Sequence, residues 1–271
     1  MRVIYLFICA LFVFTNCNQT QNQNQDPIPA HDSLTILSKV LGENRVINVW
    51  LPNNYANSVD SFPVMYMADG GIKEDFPHIA NTLAKLIQEN KIKPLILVGI
   101  ENTVRRRDLT PVTEVEKDKE IAPVVGGSSK FRAFIREELI PDIERKYRAK
   151  AERSIIGESL SGLFVMETFF TEPNLFTHYI AFDPSLWWNN QELNRNAKEY
   201  LNLFPNESKS LWFAGSSAKD ISIYTNELAA TLKSSDSTNL RWKYSDEPKE
   251  QHHTIFRSTK EKALIWTFGH L

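Results

Sequence analysis

An α/β fold is predicted for this chain: a mostly parallel central sheet of about eight strands with helices on both faces. Short, continuous apolar runs rich in β-branched residues read as strands buried on both sides. Longer stretches with apolar residues every three or four positions separate them and read as helices. This strand and helix alternation implies crossover connections and therefore parallel pairing.

The elements follow in order. Residues 34–41 and 46–51 (VINVWL) flank a Gly-Glu-Asn turn at 42–44, predicting an opening antiparallel hairpin. Buried strands are predicted at 63–68 (PVMYMA), 94–100 (PLILVGI), 153–156 (RSII), 179–182 (YIAF) and 210–214 (SLWFA). The more polar 240–244 (LRWKY) reads as a strand near a sheet edge. Phe131, Phe134, Ile135, Leu139, Ile140, Ile143 and Tyr147 form one amphipathic stripe. Helical patterns also cover 79–87, 163–170, 193–203, 225–232 and 259–268.

Composition narrows the function classes. The chain has 271 residues, 31 Lys+Arg against 33 Asp+Glu, and 42% hydrophobic residues. A near-neutral balance without a basic run leaves no electrostatic footprint for nucleic acid. No apolar stretch reaches the roughly 18–20 residues that cross a bilayer.

The N-terminus differs from the rest. Arg2 precedes an apolar run at 3–14, of signal-peptide length, and residues 18–25 are only Asn, Gln and Thr. The only cysteines are Cys9, inside the run, and Cys17, at its edge. We read residues 1–16 as a lipoprotein-type signal peptide, Cys17 as the lipidation site, 17–32 as a flexible tether and 33–271 as one domain. The expected location is the bacterial cell envelope through that anchor, or outside the cell by secretion.

Gly157-Glu158-Ser159-Leu160-Ser161-Gly162 lies between a predicted strand and a predicted helix. This is the context of a nucleophile elbow, where a sharp turn presents a serine and the helix aims its first amides at a developing oxyanion. Ser161 stands where a glycine is usual. A serine needs a histidine base, itself oriented by a carboxylate. The pair His252-His253 occupies a loop after the last strand, whereas His178 precedes a strand and His270 adjoins the C-terminus. Among the carboxylates, Asp220 is favoured because it follows the strand at 210–214 and its Gly-Ser-Ser loop. Asp183 also follows a strand, and Asp220 has the alternative role of capping a helix.

Together these segments resemble the Putative esterase family of α/β-hydrolases, which includes siderophore esterases. The resemblance covers about residues 33–271 and rests on 45–54 (RVINVWLPNN), 66–70 (YMADG), 107–111 (RDLTP), GESLSGLF, 183–188 (DPSLWW) and EQHHTI. It implies an α/β-hydrolase fold and carboxylic ester hydrolysis through an acyl-enzyme, with Ser159 as nucleophile, His252 as base and Asp220 as acid. The implied oxyanion donors are the amides of Leu160 and Gly71. No metal or cofactor is called for, and the partner is a small-molecule or polymer-linked ester. Trp187, Trp188 and Arg106 are candidate substrate contacts. Two alternatives stay open: an acyltransferase on the same triad, and a non-catalytic ligand-binding lipoprotein.

Overall fold

The computed structural model describes residues 26–121, 123–235 and 239–270. The signal peptide, Cys17 and most of the tether lie outside these residues. The hairpin consists of β1 (Asp32–Ser38) and β2 (Glu43–Trp50). Then follow β3 (Phe62–Met67), α1 (Phe76–Gln88), β4 (Ile96–Ile100), and the short helices α2 (Arg105–Leu109) and α3 (Glu116–Ile121). The predicted stripe at 131–147 is α4 (Ser128–Phe134) and α5 (Ile140–Lys146), joined by a π-helical turn at Ile135–Leu139. Pro141 has no N–H for an interior helical bond, and a π turn is one way for a helix to pass such a residue.

The second half contains β5 (Ala149–Glu158), α6 (Leu160–Thr171), β6 (His178–Phe182) and α7 (Trp188–Asn202). It ends with β7 (Lys209–Gly215), α8 (Lys219–Lys233), β8 (Leu240–Asp246) and α9 (Ile255–Phe268). Every predicted strand is present. The short α2 and α3 were not foreseen, because helices of five and six residues hold no full apolar period.

The eight strands form one sheet in the order β1-β2-β4-β3-β5-β6-β7-β8. β2 pairs antiparallel with β1 and with β4, and the remaining pairs are parallel. Alternate strand residues feed two cores. Val64, Tyr66 and Ile155 pack with Phe131, Phe164, Leu193 and Leu228 from α4, α6, α7 and α8. Met65, Met67 and Ile156 pack on the other face with Ile79, Leu83, Ala263 and Leu264 from α1 and α9. The register aligns Met67 with Ile156, Glu158 with Phe182, and Gly215 with Asp246. The C-terminal ends of β3, β5, β6, β7 and β8 therefore share one sheet edge.

Candidate active site

Residues in left-handed backbone conformations mark that edge. Asp69 after β3, Ser159 after β5 and Asp183 after β6 have φ values of 54°, 59° and 41°. For residues with a Cβ this conformation is costly and persists only where surrounding structure imposes it. At Ser159 (φ 59°, ψ −119°) the imposing contacts are explicit. Its N–H donates to Phe182 O at 3.0 Å, and its carbonyl accepts from Leu163 N at 2.8 Å and Ser185 N at 3.2 Å. Gly157 makes the bend possible, since a Cβ there would lie 2.3 Å from Ser161 Oγ. The buried Ser161 thus occupies space that the glycine leaves open.

His252 sits in the turn between β8 and α9. Ser217, just past β7, donates its N–H and hydroxyl to Glu250 O at 3.0 and 2.7 Å. The Glu250 carboxylate accepts from the hydroxyls of Thr254 and Ser258, which closes the turn onto α9. The imidazole then spans two partners: Nε2 lies 3.1 Å from Ser159 Oγ, and Nδ1 lies 2.9 Å from Asp183 Oδ2. His253 is exposed.

Asp183 replaces Asp220 in the expected position. It follows β6 directly, is fully buried, and also accepts from Ser216 N and Ser216 Oγ, both at 2.6 Å. Asp220 is exposed in the first turn of α8, where a carboxylate interacts favourably with the helix N-terminus. It reaches His252 only through its charge. The signal for Asp183 was its position immediately after a buried strand; Asp220 belongs to the following helix.

The electrostatics shift the titration of His252 upward. Hydrogen bonding to Asp183 raises the His252 pKa above its ordinary 6.5, burial opposes this, and the charges of Asp183, Glu158 and Asp220 add to the rise. Glu158 ends β5 beside the elbow. Burial and the charges of Asp75, Asp183 and Asp69 push its carboxyl up to about 7, against the opposing pull of His252. Sequence reading did not single out Glu158.

The expected oxyanion donors differ in state. Leu160 opens α6, so its amide is a first-turn N–H without an intrahelical acceptor. The Gly71 amide instead donates to Glu74 Oε2 at 2.7 Å. Burial raises the Glu74 pKa. Gly70 sets this loop against β4, since a Cβ there would lie 2.3 Å from Gly99 Cα.

The candidate substrate contacts also divide. Trp188 is buried and donates from its indole N–H to Pro111 O at 3.1 Å, which makes it a core residue. Half-buried Trp187 lies against it, with ring centroids 5.7 Å apart. Arg106 is exposed and donates to the Ile121 carbonyl. Its neighbour Arg105 is the arginine tied to the sheet edge, through Asp69 Oδ1 at 2.5 Å and Oδ2 at 2.8 Å. Asn102 joins Asp69 to Glu74.

Residues 38–264 match the family model described as Putative esterase. The chain belongs to that family. It is 31% identical over 156 residues to the ferri-bacillibactin esterase BesA of Bacillus subtilis, covering 52% of this chain and 54% of that protein. It is 28% identical over 169 residues to the apo-salmochelin esterase of Escherichia coli, covering 58% and 52%. The chain thus spans about half the length of these curated relatives. Among solved structures it resembles an IroE-like serine hydrolase from Shewanella oneidensis, with a TM-score of 0.78 and 27% identity over 88% of this chain and 80% of that one. The fold is that of an α/β-hydrolase.

Proposed function

We propose that this protein is a serine esterase that cleaves a carboxylic ester through Ser159, His252 and Asp183. The observation that carries the reading is the unbroken contact from Ser159 Oγ through both imidazole nitrogens to a buried carboxylate, at 3.1 and 2.9 Å. In the required tautomer, Nδ1–H donates to Asp183 and Nε2 accepts the serine proton. Ser159 Oγ attacks the acyl carbon while the proton moves to Nε2. The oxyanion forms at the Leu160 amide, and one such donor is worth about 2.7–4 kcal/mol of barrier. The imidazolium protonates the departing alcohol, and water then releases the acid from the acyl-enzyme by the same proton shuttle.

A siderophore ester is the first substrate to test, because relatives bear the names ferri-bacillibactin esterase and apo-salmochelin esterase. The enzyme is exported by the segment 1–16 and is either held in the bacterial cell envelope by lipid on Cys17 or secreted.

The test is labelling of the purified protein by a fluorophosphonate, with peptide mapping and with Ser159→Ala and His252→Ala beside it. Adduct on Ser159 that both substitutions abolish is the expected result. A folded wild-type protein that takes no label would overturn the reading.

A further inference from the structure

Through adjacent residues, the loop after β7 bonds both the carboxylate beside the imidazole and the turn that carries His252. Ser217 holds the Glu250 carbonyl of the histidine turn by two hydrogen bonds, at 3.0 and 2.7 Å. Ser216, 1% exposed, holds Asp183 by two more, its N–H on Oδ1 and its hydroxyl on Oδ2, both at 2.6 Å. The hydroxyl has its own orienting contact, since Ser216 Oγ accepts from Ala218 N at 3.2 Å just before α8. Its proton is thereby left for the carboxylate. Asp183 Oδ2 accepts that hydrogen bond and faces His252 Nδ1 at 2.9 Å.

We propose that Ser216 is a positioning residue for the Ser159–His252–Asp183 constellation: from the end of β7 it fixes the carboxylate supplied by the end of β6, and with Ser217 it sets the spacing of acid and base. This rests on the esterase reading. Asp183 has a left-handed backbone and projects from a strand end, so neither a helix nor a strand ladder locks its side chain. The two bonds from Ser216 supply that restraint. A carboxylate free to rotate would lose its alignment with Nδ1, and misplacement of about 1 Å costs about 100-fold in rate.

The same geometry offers a test by exchange between the two strand ends. Ser216 Oγ lies 2.6 Å from the carboxylate oxygen that faces His252. An aspartate at 216 would carry an oxygen into the space that Asp183 vacates when shortened to serine.

The experiment uses the full chain and p-nitrophenyl butyrate, with thermal melts confirming that each variant is folded. Ser216→Ala, which removes the hydroxyl bond to Oδ2 and keeps the backbone N–H bond to Oδ1, is expected to lower kcat by about 10-fold with KM within about 2-fold, because Ser216 is buried. It should also move the acid limb of the pH profile to lower pH and weaken the downfield proton resonance of His252 Nδ1–H. Asp183→Ser is expected to lose most activity, and Asp183→Ser with Ser216→Asp to recover at least about 10-fold of it. Wild-type kcat and an unchanged resonance in Ser216→Ala would overturn the proposal, as would a double variant no more active than Asp183→Ser. Failure of the wild-type protein to hydrolyse esters or take a fluorophosphonate counts against the esterase reading instead, while the resonance still reports whether Ser216 holds Asp183 on His252.

Discussion

Asp183 Oδ2 lies 2.9 Å from His252 Nδ1, although 69 residues separate the two in the chain. The contact joins a strand end to a turn before the last helix, and it is made between a fully buried carboxylate and a half-exposed ring. A buried carboxylate in such a place stabilises the imidazolium that forms as the serine proton leaves.

Replacing Asp183 by Asn should therefore remove about 10³–10⁴-fold from kcat while leaving the protein folded. The pH profile supplies the sign. His252 accepts a proton only when neutral, and its pKa is raised, so kcat/KM should climb along a limb centred above 6.5. Asp183→Asn removes the main cause of that rise and should move the limb down. Asp220→Asn, removing only an exposed charge, should keep the plateau within about 3-fold. Steady-state rates on p-nitrophenyl butyrate from pH 5 to 9 measure both. A profile sensitive to Asp220 and indifferent to Asp183 would refute the assignment.

Glu158 yields a stability prediction. Its carboxyl is pushed up to about 7 from an ordinary 4.5, so the folded state holds a proton that the unfolded chain releases. Its neutral form suits the folded protein below pH 4.5, and that stability is lost as pH rises through about 7. Glu158→Gln should be nearly neutral at pH 4.5 and stabilising by about 1–2 kcal/mol at pH 8.5, allowing for partial contact with water. Urea unfolding at the two pH values measures the difference. Equal effects at both would show that the carboxylate is not penalised.

A buried cation anchors the loop that carries the arginines. Arg45, with no exposed side-chain surface, bonds Asp108 Oδ2 at 2.6 Å and Glu43 Oε1 at 2.8 Å, and its guanidinium lies 5.0 Å from the Phe131 ring centroid. Arg45→Met leaves Asp108 buried with only Arg107 to pair it, and should cost about 3 kcal/mol. Chemical denaturation at neutral pH checks this; a loss below about 1 kcal/mol would mean that Arg107 alone satisfies Asp108.

Much of the architecture was legible because buried strands and amphipathic helices leave periodic patterns: 153–156 (RSII) lies within β5, and the stripe from Phe131 to Tyr147 covers α4 and α5. The meeting of Ser159 and His252 was legible because the elbow and the histidine turn are local in sequence. The carboxylate beside the imidazole was not, since the choice between Asp183 and Asp220 depends on which strand end faces the imidazole, a fact of register and side-chain direction that no short motif encodes. Arg106 rather than Arg105 was the candidate for the same reason: adjacent residues of α2 point in different directions, and it is Arg105 that pairs with Asp69.

Trp188 was a candidate substrate contact, and its position argues for a different consequence of mutation. The side chain is 2% exposed, packs in the core of α4, α6, α7 and α8, and ties its indole N–H to the Pro111 carbonyl. Trp188→Ala opens a large cavity and orphans that carbonyl, which should cost about 3–5 kcal/mol. The ranking of ester substrates should stay unchanged. Trp187, half-buried beside it, retains exposed ring surface, so Trp187→Ala should cost less stability and change the relative kcat/KM for aromatic and aliphatic acyl groups. Thermal melts and a panel of acetyl, butyryl and benzoyl esters separate the two effects. A stable Trp188→Ala variant with altered acyl preference would return that residue to the substrate site.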